Sequence, residues 1–182
     1  MCRLMWYLAF ISFLLLGGYL LLMALRFGIP NMVSDTYYQL QGCTGSEIVP
    51  FREPRNMGWI FSLLMVMVAF LMLVCLLDTG RGIQFLAFLG CAGLCFVGCA
   101  PNYCDHDVYS VHKTAAIIAA VGSIGWCMSV CVAPTIVILT AYLFYAYHSR
   151  GSKTRHPWYW AEVSGFLNVF ATYIIIYSQG SL

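Results

Sequence analysis

The sequence predicts an all-α membrane protein, a single transmembrane domain over residues 1–182 that folds as a bundle of six spans. Composition carries this prediction, because 62% of the residues are hydrophobic, only 9% are charged and the mean hydropathy is +0.82. A soluble domain has about 25% charged residues. The apolar residues form continuous runs and not the two-residue alternation of a barrel strand, which favours helices as the spanning elements.

The apolar runs predict spans at about 4–25, 57–77, 83–100, 110–126, 129–147 and 158–177. The first run, of 22 residues, is long enough to cross a bilayer core of about 30 Å, and we interpret it as a retained span. Its Gly17 and Gly18 would let another helix approach closely. The third span carries a face of small residues that also predicts close packing: Ala87, Gly90, Cys91, Gly93 and Cys95.

The number of spans depends on the run from Thr114 to Tyr147, which has 34 residues and no charge. As one helix it would be about 51 Å long, and tilt does not accommodate that excess. We therefore expect two spans with a break between Gly122 and Pro134, where Gly and Pro weaken a helix. Five spans is the alternative, and it would move the loop 148–156 to the other side.

Six spans place the loops 27–56, 101–113 and 148–156 on one side of the membrane. That side carries seven of the nine Lys and Arg residues, so the positive-inside rule makes these loops cytoplasmic. In the long first loop, Ser34 or Asp35 is expected to cap a short helix through Leu40, and the loop is expected to fold over the bundle.

Glu162 is the clearest candidate for chemistry, because an ionisable residue inside a span is costly and often functional. It lies about one turn inside the sixth span, at the depth predicted for His112 and Lys113. We expect Glu162 to pair with one of these two residues, either as an interhelical clamp or as part of a functional site. Asn168 is expected only to hydrogen-bond to its neighbours.

The polar segment before the fourth span contains Asp105, His106, Asp107 and His112. These are ligand types that suit zinc, with Asp105 and His106 as the weak metal candidates, but their spacing matches no strong metal motif. The acids are explained equally well as caps of the fourth span. A triad of Ser110, His112 and Asp107 is disfavoured, because the three are too close in sequence for ordinary triad geometry.

Candidate ligand-binding residues lie in the loops: Lys113, Arg52, Arg55 and Tyr37. Basic side chains suit phosphate groups, and tyrosine suits the lipid interface. Most cysteines lie inside apolar runs, where they serve as small buried residues. No cofactor is predicted, and the net charge of +2 is too small to indicate a nucleic-acid partner.

The sequence resembles a group of small bacterial six-span membrane proteins over most of its length. The resemblance rests on Phe27–Pro30, Asp35–Tyr38, Gly58–Trp59, Phe85–Cys91, Val97–Pro101 and Val111–His112. It implies a bacterial cytoplasmic membrane location and no particular activity. The order of these features is also distantly similar to the DRAM-type family of eukaryotic six-span proteins, which implies cytoplasmic termini, opposite to the orientation favoured by the charge bias.

Two functions are consistent with these observations. The first is a non-enzymatic bundle that binds membrane lipid or another small molecule, or that serves as a partner subunit of another membrane protein. The second is a membrane-embedded enzyme acting on lipid head groups through His112, Glu162 and Asp107. The absence of a strong ligand motif in the sequence favours the first.

Overall fold

The computed structural model of the chain describes residues 3–42, 56–149 and 156–180, and these ranges contain helices and no strands. One short 3-10 helix spans Val33–Asp35. The α-helices of these ranges are α1 (Arg3–Phe27), α2 (Thr36–Gln41), α3 (Trp59–Asp78), α4 (Gln84–Cys99), α5 (His106–Val130), α6 (Val132–His148) and α7 (Pro157–Gly180). The all-α prediction is confirmed for the described residues.

Four of the described helices, α1, α3, α5 and α7, are long and apolar enough to cross a membrane by length and composition. The apolar helices α4 and α6 are shorter, with 16 and 17 residues. The six long helices follow the predicted segments in order, but α5 begins four residues earlier than predicted. It begins there because the Asp105 carboxylate accepts a hydrogen bond from the Asp107 N–H at 3.1 Å and so caps the helix.

The long helices alternate in direction along the chain. The Cys75 thiol near the end of α3 donates to the Met5 carbonyl near the start of α1, so these two helices are antiparallel. Helices α4 and α5 are antiparallel as well, and so are α6 and α7. The contacts that show this are Gly90 with Ser123, Gly93 with Ala119, Thr135 with Asn168, and Tyr145 with Trp160.

This alternation brings the described parts of the three predicted loops to one end of the bundle. There His156 Nδ1 lies 3.2 Å from Asn31 Oδ1, which joins the last loop to the first. At the opposite end, the Trp126 indole donates to the Arg81 carbonyl at 3.2 Å, which joins the end of α5 to the turn between α3 and α4.

A seam of small residues holds α4 against α5, the most extensive helix contact of the described chain. A Cβ added at Gly93 would lie 2.4 Å from the Ala119 nitrogen, and one at Gly122 would lie 2.5 Å from the Gly90 nitrogen. The backbones therefore approach as closely as glycine permits, as predicted for this face of α4. In contrast, a Cβ at Gly17 would meet nothing within 4 Å, so no helix of the described chain makes the close approach that Gly17 would permit.

The break within the long uncharged run falls at Cys131, inside the predicted window. Its extended backbone, with φ −154° and ψ 114°, separates α5 from α6. The seven described cysteines are all free, and Cys75, Cys91 and Cys127 are buried as small core residues.

Residues 28–42, called the cap here, fold over the end of the bundle that bears the loops. Thr36 is fully buried, accepts from the Tyr19 hydroxyl at 2.7 Å and donates to the Val33 carbonyl at 2.7 Å. The Tyr38 hydroxyl accepts from the Cys104 N–H at 2.7 Å. The prediction that the first loop is ordered over the bundle is therefore confirmed for the cap, while residues 43–55 lie outside the described ranges.

The outward faces of the long helices are apolar. Large side chains are widely exposed there, for example Leu22 at 68%, Leu25 at 76% and Phe144 at 67%. A soluble monomer rarely exposes continuous apolar surface of this extent. The bundle therefore has the surface that contact with lipid chains requires.

Candidate ligand-binding cavity

A cavity of about 400 Å³ lies between the helices of the bundle. It is partly open at the surface, because its lining residues Ile124 of α5 and Leu139 of α6 are 42% and 52% exposed. Side chains of α3, α4, α5, α6 and α7 form its wall, and Val33 and Ser34 of the cap close one end. Along α3 it reaches from Phe61 to Leu76, a distance of about 22 Å at the helical rise. Its volume falls within the range of about 300–1,000 Å³ that is typical of small-molecule sites.

The wall is mostly aliphatic and aromatic, with a polar pair partway along it. Thr135 of α6 and Asn168 of α7 are both buried, and their side chains exchange hydrogen bonds of 3.2 and 3.1 Å. The expectation that Asn168 would bond to a neighbour is confirmed. The pair fixes α6 against α7, and the other polar residues of the lining are Ser34, Ser123, Tyr142, Glu162 and Ser164.

Glu162 lies at the cap end of this cavity. Its Oε2 accepts a hydrogen bond of 2.5 Å from the Val33 N–H. The 3-10 turn leaves that N–H without an intrahelical partner, as at any helix start, and the carboxylate satisfies it. Glu162 thus ties α7 to the cap at the mouth of the cavity.

The predicted ion pair of Glu162 with His112 or Lys113 is wrong. Among the described residues, no Lys, Arg or His nitrogen lies within 4.0 Å of Glu162. Lys113 is exposed and its ammonium lies 5.8 Å from the centroid of the Tyr109 ring. Glu162 and His112 nevertheless lie at the same end of the bundle, because Glu162 contacts Val33 and His112 contacts Ser34.

His112 is 8% exposed and held at both ring nitrogens. Nδ1 lies 2.7 Å from the Ala100 carbonyl and Nε2 lies 3.1 Å from the Ser34 hydroxyl. A carbonyl oxygen only accepts, so Nδ1 carries the proton. In the neutral imidazole Nε2 then accepts, and the Ser34 hydroxyl donates to it.

Asp35 adds a second acid to this end of the bundle. Its Oδ2 accepts from the Met32 N–H at 3.1 Å, and its Oδ1 accepts from the Tyr103 hydroxyl. Burial raises the pKa of the Asp35 carboxyl, and backbone N–H groups of Met32 and Asn31 partly offset that rise. The Tyr103 ring also packs 5.1 Å from the His112 ring, so the cap, the loop after α4 and α5 form one polar layer.

The acidic and histidine residues before α5 do not join this layer. Asp107 and His106 are fully exposed and lie 3.7 Å apart, while Asp105 caps α5. Asp107 is five residues from His112, which places it on a different side of the helix. The described residues contain no group of three His, Cys, Asp or Glu side chains that could hold a metal, so Asp105 and His106 gain no further ligand there.

Tyr37 and Ser110 are not among the residues that line the cavity. The Tyr37 hydroxyl accepts from the Gln41 side chain at 2.7 Å, and its ring packs on Phe61. Ser110 lies in a groove beside α4, apart from His112's contact with Ser34. Arg52 and Arg55 fall outside the described residues.

Ser34 and Tyr103 were not predicted from the sequence to be functional-site residues. The sequence suggested Ser34 only as a helix cap, and Tyr103 carried no signal beyond its place in a polar segment. Both become site residues because the cap folds back between α5 and α7, a long-range contact that local patterns do not encode.

The fold and the cavity define a class, a helical bundle with a mostly apolar cavity between its helices and an acidic residue at one end. The chain matches no protein-family model, no curated protein and no solved structure.

Proposed function

We propose that the chain is an integral membrane protein whose six long helices all cross the bilayer. Their alternation and their apolar outer faces support this proposal. With 16 and 17 residues, α4 and α6 reach about 24–26 Å, and flanking residues or local thinning of the bilayer accommodates the difference. The charge bias puts the cap in the cytoplasm, and the resemblance to bacterial proteins favours the bacterial cytoplasmic membrane.

The proposed function is to bind an amphiphilic small molecule, such as a membrane lipid, in the central cavity. The observation that carries it is the cavity itself, about 400 Å³ of mostly apolar space with Glu162 and Ser34 at one end. An apolar chain would replace empty volume by contacts along the wall. Its polar head would meet the hydrogen-bonding groups beneath the cap.

An enzyme acting on lipids is the second candidate, favoured by the hydrogen bond between Ser34 and His112. A neutral histidine at that distance is a general base for a serine hydroxyl. The site also needs donors for a developing oxyanion, but the Val33 N–H beside Ser34 is already bonded to Glu162. The described groups therefore favour binding over catalysis.

The test uses a glycine that faces the cavity. Gly165 of α7 lines the wall, and a Cβ added there would meet nothing within 4 Å. Gly165→Leu would therefore place its Cβ in open space at the cavity wall, and the rest of the side chain would take up cavity volume. Gly17→Leu is the matched control, because Gly17 is also helical, equally unobstructed and exposed on the outer face of α1.

Native mass spectrometry of detergent-purified protein would report retained amphiphiles. Overpacking a filled site costs about 1–3 kcal/mol, which predicts that Gly165→Leu weakens binding by about fivefold or more and lowers the retained occupancy accordingly. Gly17→Leu should retain the wild-type occupancy. Equal retention by both variants would place the bound molecule outside the cavity and overturn the proposal. Turnover of a phospholipid ester that Ser34→Ala abolishes would instead establish the enzyme.

A further inference from the structure

We infer that the cavity selects amphiphiles with a cationic amine head over those with neutral or anionic heads. This inference rests on the proposed function, since it names the chemical class that the same cavity would take. It is based on the hydrogen bonds at the cap end of the cavity. The Val33 and Ser34 donors are already bonded there, whereas acceptor oxygens of Glu162 and Ser34 remain available.

The donors that Val33 and Ser34 of the cap bring to this end are occupied. The Val33 N–H is bonded to Glu162, and the Ser34 hydroxyl is bonded to the bare Nε2 of neutral His112. At a pH above the ordinary histidine pKa of about 6.5, the imidazole has no proton to offer at Nε2. A phosphate or carboxylate head would therefore find no free donor among these groups.

The acceptors are available. Oε1 of Glu162 has no hydrogen-bond partner among the described residues, and the Ser34 oxygen keeps lone-pair capacity after donating its proton. An ammonium head has three N–H donors and no acceptor. It would bond the free carboxylate oxygen and the serine oxygen together.

Charge leads to the same selectivity. Glu162 is the acidic residue of the lining, and the lining residues of the described chain include no Lys, Arg or His. A carboxylate removed from water must acquire a proton or a cation. A ligand ammonium supplies that cation, whereas an anionic head would place like charges together in a medium of low dielectric constant.

The experiment compares three probes with the same chain and different heads: dodecylamine, dodecanol and dodecanoate. Binding to the full-length protein in maltoside micelles is measured by calorimetry at a pH where the amine is charged and histidine is neutral. Charge-assisted hydrogen bonds predict that dodecylamine binds about tenfold or more tightly than dodecanol, and that dodecanoate binds weakest.

Glu162→Gln keeps the side-chain shape and removes the charge. The variant should lose about tenfold or more of the preference for dodecylamine over dodecanol. Residual binding of dodecanol would also report that the variant folds. Asp107→Asn is the control, because it removes one exposed acid and should change neither affinity. The wild-type preference among the three heads tests the inference even without a folded variant.

The outcomes separate this inference from the proposed function. If dodecylamine and dodecanol bind equally, the cavity binds amphiphiles without selecting amines, and the inference is overturned while the proposed function stands. If none of the three probes binds, the proposed function itself fails.

Discussion

Gly93→Ala tests the seam between α4 and α5 most sharply. The added Cβ would lie 2.4 Å from the Ala119 nitrogen, 2.7 Å from the Ala115 oxygen and 2.8 Å from the Ala119 Cα. All three obstructing atoms belong to the backbone, so no side chain can rotate away. The two helices would have to separate by about 1 Å to restore an ordinary contact, and interiors this densely packed resist such a shift.

The expected loss follows from two opposing effects. Overpacking costs about 1–3 kcal/mol, and replacing glycine by alanine within a helix returns up to about 1 kcal/mol. We expect Gly93→Ala to lower the free energy of unfolding by about 1–2 kcal/mol, because the first effect is larger.

The control for this prediction is Gly17→Ala, where a Cβ meets nothing within 4 Å. It should be neutral or stabilising, since only the helix-propensity effect applies. Reversible unfolding of both variants in mixed micelles would measure the difference. A Gly93→Ala protein as stable as Gly17→Ala would refute the close backbone contact between α4 and α5.

Three further predictions concern the cap and the topology. Tyr103→Phe keeps the ring but removes the hydroxyl that donates to Asp35. It should lower the free energy of unfolding by about 1 kcal/mol and speed hydrogen exchange in residues 33–40. Unchanged exchange would show that this contact does not hold the cap. Since burial raises the pKa of Asp35, its contribution to stability is full below the unfolded-state pKa of about 3.9 and is lost as the pH rises through the folded-state pKa. Wild-type protein should therefore lose stability relative to Asp35→Asn as the pH rises above about 3.9, whereas parallel pH profiles would contradict a buried acid. The topology is tested with His106→Cys and Arg81→Cys in a background without native cysteines, since both positions are exposed and lie near opposite ends of the bundle. The two cysteines should react with an impermeant maleimide from opposite sides of the membrane. Reaction from the same side would contradict the six-span topology.

Local patterns predicted the helices well and their packing only in part. Continuous apolar runs fix where a helix can form in lipid, so the elements and the break at Cys131 followed from sequence. Small residues permit a close approach without requiring one. Gly90 and Gly93 meet α5, while Gly17 and Gly18 meet no neighbour within 4 Å, because the partner of each face depends on the arrangement of the whole bundle.

The candidate site was likewise predicted only in part from the sequence. Counting residues placed Glu162 and His112 at one depth, and the structure brings both to the 3-10 helix of the cap. Their partners could not be predicted, because one is a backbone N–H at Val33 and the other is a hydroxyl at Ser34, far away in sequence. The apolar cavity also escaped prediction, since its wall residues have the composition of an ordinary helix interface.

The most direct test of amphiphile binding in the cavity is to locate the apolar chain of a bound amphiphile on the protein. A dodecyl amphiphile with a diazirine at the chain end would be photolysed on the purified protein, and the modified residues mapped by mass spectrometry. Helix α3 offers an internal comparison, because Met72 lines the cavity and is 4% exposed, whereas Phe70 faces outward and is 58% exposed. We expect labelling at Met72 and its cavity neighbours, and we expect Gly165→Leu to reduce it severalfold. Labelling confined to Phe70 and other outward residues, unchanged in Gly165→Leu, would contradict binding in the cavity.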